Sequence, residues 1–531
     1  MKNNIKFTIL AVILITIIAI AVTPVSFQND TFYSIKIGEY ITQNGITMQD
    51  PFSWHEDLPY EFPHWAFDVG IYLIYNVTGF AGIYASTIIL CTLLGITIYL
   101  VNSKITKNEL VSLVLTIGML FLLSPYITAR AHLFTYILFM LTLFFIQKFL
   151  QTRKKVYAVL LLLIPVIIAN THVAVFPFYF LLYLPYIAEN IVYKDSNLEV
   201  YIRKKKIDRI NKMLAKKKIT EDYANKEKTQ LENYISNKAK LKEEPYKIVI
   251  ENNKNIKYLV IIMIIALLVG FLTPIGATPY TYLYDTMQGN TTDSISEHAP
   301  LVLVNNMPFL CILIGFVMIL ILTDTKIKLS NLFLLAGMLI LALYSQRQTA
   351  LFIILCSTVL NVLVCDFLNK YDSNICSSIK SVLTKWDVSI YIITIAVLVA
   401  AIQIKPKLDD KFVDESTYPV SAATYILENL DTQNIKLFNE YNYGSYLLYR
   451  EIPVFIDSRA DLYAPEFNHK KDIFSDFINI SDIGVYYEDK FEEYGITHVI
   501  LYKNSKLNLL LKHDSNYTNL YEDNDFIIYK R

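Results

Sequence analysis

An α-helix needs roughly 17–25 apolar residues to cross the hydrocarbon layer of a bilayer. This 531-residue chain carries about eleven runs of that kind, near 7–27, 81–101, 109–125, 131–150, 156–170, 173–190, 258–274, 302–322, 329–344, 349–368 and 387–404. With 54% hydrophobic residues and a mean hydropathy of +0.37, it is too apolar for a water-soluble protein of this length. The expected fold class is an α-helical polytopic membrane protein. The stretch 156–190 also divides differently around Pro165 and Pro177. The first run is too long for a secretory h-region and no small-residue cleavage site precedes Asp30, so it reads as an uncleaved anchor.

Basic residues set the expected orientation. Lys2 and Lys6 precede the first run; Lys104, Lys107, Lys148, Arg153, Lys154 and Lys155 lie in later connections; Lys326, Lys328, Lys370, Lys380 and Lys385 follow. Counting spans puts all of them on one side, the cytoplasmic side by the positive-inside rule. The expected location is a plasma membrane, with the N-terminus cytoplasmic and the segment 405–531 extracytoplasmic. The formal net charge of +0 therefore hides segregation. The insert 191–257 holds 18 Lys/Arg against 10 Asp/Glu, including Arg203-Lys204-Lys205-Lys206 and Lys216-Lys217-Lys218. It reads as a solvated helical hairpin beside anionic headgroups or as a docking arm for a cytoplasmic partner. Its mixed charges speak against nucleic acid as a partner. The five cysteines fall in apolar runs or on the inner side, so no disulfide framework is expected.

Two domains are expected: 1–404, with a first outer loop at 28–80 and the cytoplasmic insert at 191–257, and a small extracytoplasmic α/β domain at 405–531. In the latter, helical stretches (421–430, 465–479, 485–494) alternate with strand-like runs (435–439, 453–457, 497–502, 526–530). In the first loop, residues 30–40 read as an amphipathic helix lying on the membrane surface and ended by Gly45.

The polar residues gather at one face. Asp30, Asp50 and His64 belong to the first loop; Arg130, His132, His172, Glu297, His298 and Arg347 flank later turns on that side. Acids, histidines and arginines collected at one surface from distant parts of a membrane protein are the ingredients of a site. Asp30 serves either as a helix N-cap or as a general base. Arg130 and Arg347 either snorkel to the interface or bind phosphate. His172 is either a satisfied interfacial histidine or a group that orients substrate. Glu297 and His298 close a 275–300 loop containing Asp285 and Asp293, which is either solvated or laid over a substrate. Asp457, Arg459 and Asp461 end the run PVFID and form either a structural ion cluster or a ligand contact. Gly444 lacks a glycine-rich phosphate loop around it, so nucleotide binding is not expected.

Several segments together resemble the GT-C superfamily of polytopic glycosyltransferases, most closely a bacterial branch. They are DTFYSIKIGEYITQNGITMQDPFSW (30–54), HW (64–65), ARAHLFTYILFML (129–141), ANTHVAVF (169–176), FLTPIGATPYTYLY (271–284), SQRQTALF (345–352) and FNEYNYGSYLLYREIPVFIDSRADLY (438–463). The resemblance covers most of the chain except the insert. It implies transfer of a sugar from a polyprenyl-phosphate-linked donor to a cell-envelope glycan or protein acceptor on the outer face. Asp30 stands where the superfamily has its first-loop base or metal ligand. Many members place a second acid beside it; Thr31 and Phe32 occupy that place here, leaving Asp50, Asp57 or Glu61 to supply one. A divalent metal ion is left open as a cofactor. The alternatives to an enzyme are a catalytically degenerate scaffold or a lipid-linked-sugar carrier or flippase; few mid-span charges and no evident repeat disfavour the carrier.

Overall fold

The computed structural model describes residues 2–243, 247–289, 291, 295–372 and 374–531. Among them, seven helices are long and apolar enough to cross a membrane: Ile5–Val22, Trp65–Thr106, Glu109–Tyr126, Ala131–Thr152, Val173–Tyr193, Gln346–Tyr371 and Trp386–Lys407. Four shorter apolar helices, Lys155–Thr171, Ile256–Val269, Met307–Leu322 and Leu329–Tyr344, coincide with the remaining expected runs. The bundle core is built from leucine, isoleucine and phenylalanine of these helices. Some polar residues inside it link neighbouring helices. Asn361 donates to the Asn102 carbonyl (3.1 Å) and to Ser112 Oγ (3.2 Å), joining three helices where water is absent.

We label the first helices α1 (Lys2–Val22), α2 (Asn29–Asn44), α3 (Trp65–Thr106), α4 (Glu109–Leu123), α5 (Ala131–Thr152) and α6 (Lys155–Thr171). At 42 residues, α3 is about twice the length that a bilayer requires. It breaks at Gly79, whose φ of 64° and ψ of −157° lie outside the helical region. The half before the break packs on α2 and on aromatic residues near 412–449, so the membrane run is the half after it. The helix Trp386–Lys407 lies on the outside of the bundle, packed along α1 through one face and otherwise exposed.

Hydrogen bonds tie the two ends of the bundle separately. At one end Lys407 Nζ donates to the carbonyls of Ala21 (2.8 Å) and Thr23 (3.2 Å), and Gln346 N donates to Ala299 O (3.0 Å). At the other, Lys380 pairs with Glu109 at 2.7 Å, and a two-stranded parallel ladder joins β1 (Ile248–Val249) to β2 (Ile327–Lys328). The insert forms two helices, Leu184–Ala215 continuing out of the bundle and Glu221–Glu243, packed through Ile210, Ala224 and Leu231.

The C-terminal α/β region holds a four-stranded sheet in the order β3 (Leu437–Phe438), β4 (His498–Tyr502), β6 (Phe526–Lys530), β5 (Thr518–Glu522). β3 and β4 are parallel and the other pairs antiparallel. β4 and β6 are apolar and almost wholly buried. The run PVFID is not a sheet strand: Val454 makes a single parallel bridge, with Ser53 of the first loop. The expected helix 465–479 divides at His469, whose φ is 54°, into Pro465–Asn468 and Ile473–Ser481.

α2 departs most from expectation. It ends at Gly45 (φ 76°) as its sequence requires, but it does not lie on a membrane surface. Thr31 through Ile35, Ile37 and Gly38 are buried. Phe32 and Ile35 share a core with Tyr418, Ala422 and Leu447, and Tyr33 and Ile37 with Phe438, Phe455 and Tyr463. The first loop and the C-terminal region are one hydrophobic unit. Gly444 marks a close approach in it, since a Cβ there would lie 2.0 Å from the Ile456 carbonyl oxygen. Gly444→Ala is expected to cost about 1–3 kcal/mol through overpacking, read as a lowered unfolding temperature in detergent. Gly118→Ala, with no atom within 4 Å of its Cβ, is expected to leave that temperature unchanged or slightly raised.

Candidate functional site

Arg130 precedes the first turn of α5 and Asp30 opens α2, and the fold brings them into contact. Arg130 Nη2 lies 2.6 Å from Asp30 Oδ2, and its Nη1 lies 3.3 Å from Glu297 Oε1. The side chains of Arg130 and Asp30 are 19% and 17% exposed, so the pair sits at a rim rather than in sealed core. Asp30 is not an N-cap; Gln28 holds that position. Burial raises the cost of charge on Glu297, yet Arg130 and Arg347 hold its carboxyl below the usual range.

Around this bridge stand the predicted histidines. His132 Nε2 contacts the Tyr126 carbonyl oxygen at 2.7 Å. His172 is buried, shares a 2.9 Å hydrogen bond with Thr135 Oγ1, and places its ring 5.0 Å from that of His64. The backbone fixes this arrangement, because Val173 N donates to Pro63 O at 3.0 Å and Trp65 Nε1 donates to Asn170 Oδ1 at 3.2 Å. Burial, then Arg347 and Arg130, push His64 down to about 3; burial and Arg347 push His298 to about 4. Both rings are neutral at physiological pH, so positive charge here belongs to the two arginines. Arg347 makes no ion pair among the described residues, and it lies within electrostatic reach of Glu297, His64 and Asp461.

The remaining predicted residues separate. Asp461 joins the site: Tyr282 Oη donates to its Oδ2 at 2.6 Å, and Arg347 acts on it electrostatically. Asp50, Asp457 and Arg459 do not. Arg459 Nη1 donates to Asp50 Oδ1 (2.7 Å), its Nε to Asp457 Oδ1 (2.9 Å) and its Nη2 to Asp457 Oδ2 (2.7 Å). The arginine side chain is 3% exposed and both acids 0%. Asp50 also accepts from the amides of Phe52 (3.2 Å) and Ser53 (2.9 Å). Burial opposes its ionisation, but Arg459 and Ser53 hold its carboxyl below the ordinary range. A saturated, solvent-free carboxylate cannot reach a substrate, which corrects the sequence expectation for Asp50.

Glu61 is the acid better placed. Burial and then Asp285 push it up to about 7, beside Asp461. Asp293 lies outside the described residues. Sequence reasoning also missed Asp68, which stands in the apolar run Trp65-Ala66-Phe67-Asp68-Val69 and is fully buried; an acid in so apolar a context was the available signal. No group of three or more His, Cys, Asp or Glu side chains converges as a metal cage among the described residues.

Two measurements follow from this geometry. Arg459→Ala leaves two buried carboxylates unpaired and is expected to cost about 3–5 kcal/mol, read as loss of folded protein in thermal unfolding. Glu61, raised from 4.5 to about 7, binds its proton more tightly folded than unfolded. Its ionisation therefore lowers stability as pH rises from 4.5 toward 7. Glu61→Gln is expected to flatten the unfolding temperature across that window.

No protein-family model and no curated protein matches the chain. Solved structures do. The apo oligosaccharyltransferase of Archaeoglobus fulgidus superposes with a TM-score of 0.55 at 12% identity, covering 94% of this chain and 69% of that one. The same enzyme tethered through a disulfide to an acceptor peptide bearing the NVT sequon gives 0.51 at 11% identity, covering 98% and 74%. The chain thus has a fold similar to that of the archaeal oligosaccharyltransferase, with seven helices among the described residues long and apolar enough to cross a membrane and a small C-terminal α/β region.

Proposed function

We propose that this protein is a membrane glycosyltransferase that moves a sugar from a polyprenyl-phosphate-linked donor to a cell-envelope acceptor on the outer face of a plasma membrane. The observation that carries the reading is the Asp30–Arg130–Glu297 bridge, with Arg347, which makes no ion pair among the described residues, beside it, at one end of a bundle similar in fold to an oligosaccharyltransferase.

Sugar transfer from a lipid phosphate requires two things of a protein. A base must take the proton of the acceptor hydroxyl, and positive charge must stabilise the phosphate as it leaves. Asp30 supplies the base. Arg347, with Arg130 once the donor displaces Glu297, supplies the charge, and guanidinium groups match phosphate oxygens in pairs. Neutral His64 contributes a polar ring rather than charge, while the His132 ring is held by the Tyr126 carbonyl and the His172 ring by Thr135. Asp461, held by Tyr282, brings the C-terminal region to the rim, where it contributes to acceptor placement.

The test compares envelope and lipid-linked glycans by mass spectrometry in a strain lacking the protein, restored with wild type or with Asp30→Asn at equal protein level. A glycan that loses one sugar on deletion and regains it only with wild type supports the transferase. With purified components, Asp30→Asn is expected to lower turnover by about 10²–10⁴-fold, and Arg347→Met to weaken donor binding. Equal restoration by Asp30→Asn would sink the base assignment and favour a scaffold or carrier of lipid-linked sugar.

A further inference from the structure

Asp68 is fully buried, and neither carboxylate oxygen accepts a hydrogen bond of normal geometry. It lies in the first turn of α3, well before the break at Gly79. The seam with α2 closes directly over it, because a Cβ at Gly38 would come within 2.1 Å of the Asp68 carbonyl oxygen. Residues four apart stack on one face of a helix, so Asp30, Ser34 and Gly38 form a line along α2. The Ser34 hydroxyl therefore faces the Asp68 carboxyl one turn from Asp30. The other titratable groups facing Asp68 are Tyr33 of α2, Tyr60 of the first loop and Asp30 itself. Among the described residues no cation pairs with Asp68.

Taking Asp30 as the base, we infer that Asp68 is its neutral partner: a carboxylic acid that keeps its proton at rest beside Ser34 and leaves Asp30 the only ionised carboxylate on the α2–α3 seam. Two acids on one seam take opposite protonation states when their surroundings differ. Asp30 has Arg130 at 2.6 Å and partial exposure; Asp68 is 0% exposed and has no cation partner among the described residues, and an unpaired buried charge is strongly disfavoured.

The proton count closes. Before transfer the pair holds one proton, on Asp68, and one negative charge, on Asp30. The acceptor oxygen then bonds to the anomeric carbon, its proton passes to Asp30, and the carbon–phosphate oxygen bond breaks with its electron pair on the phosphate. The pair now holds two protons, and Asp30, open at the rim, releases one to water. Asp68 acts as a positioning residue that never gives up its own.

Infrared difference spectroscopy of purified protein at about pH 8, where ordinary carboxyls are ionised, tests this without any substrate. Wild type is expected to show the C=O stretch of a protonated carboxylic acid, shifted in D₂O. That band is expected to be missing from Asp68→Asn and displaced in Ser34→Ala. Identical spectra for wild type and Asp68→Asn overturn the inference, as does a band removed by Asp30→Asn instead. Should Asp68→Asn fail to fold, an acid band unmoved by Ser34→Ala overturns it equally. Because the readout needs no turnover, failure here leaves the transferase reading standing, and failure of that reading leaves this band to be explained.

Discussion

The arrangement depends on a guanidinium buried between two carboxylates. Arg459 is enclosed by Asp50 from the first loop and Asp457 from the C-terminal region, so neither segment can move away without stranding charge in a dry interior. That constraint fixes the turn after α2, and α2 in turn is set between α3 and the helix Tyr441–Tyr449. Asp30 reaches Arg130 because α2 has no freedom to lie elsewhere. A cluster buried away from the Asp30–Arg130 bridge thereby decides where that bridge can form.

Much of the fold was legible because bilayer thickness imposes a length on apolar runs. Every expected run corresponds to an apolar helix, including the four that fall short of full spanning length. The misreadings arose where tertiary packing overrode local pattern. Residues 30–40 carry the apolar and polar faces of an interfacial helix, but the apolar core of the C-terminal region covers them where lipid was expected. PVFID is apolar enough for a strand, yet its partner is the first loop, 400 residues away, and pairing at that distance leaves no local trace.

The site was legible in part for a similar reason. Arginines on the outer side run against the positive-inside trend and polar groups at the ends of apolar runs stand out, so Asp30, Arg130, His172, Glu297 and Arg347 were conspicuous, and the structure gathers them. Asp50 was equally conspicuous and belongs elsewhere, because sequence shows that an acid is present but not whether an arginine has already claimed it. Glu61 and Asp68 carried weaker signals: their character comes from burial and neighbours, which only the folded chain supplies.

The final apolar helix, Trp386–Lys407, is buried over only 6% of its membrane window, although it is the covalent route to the C-terminal region. Grip and tether are therefore separate. The region is gripped by the first loop through Arg459 and the shared aromatic core, while the helix leading to it is held along one face by α1 and by Lys407 at its end. A helix held on one face adds little to that grip, so the position of the C-terminal region over the rim is set by the buried arginine and the aromatic core rather than by the covalent connection.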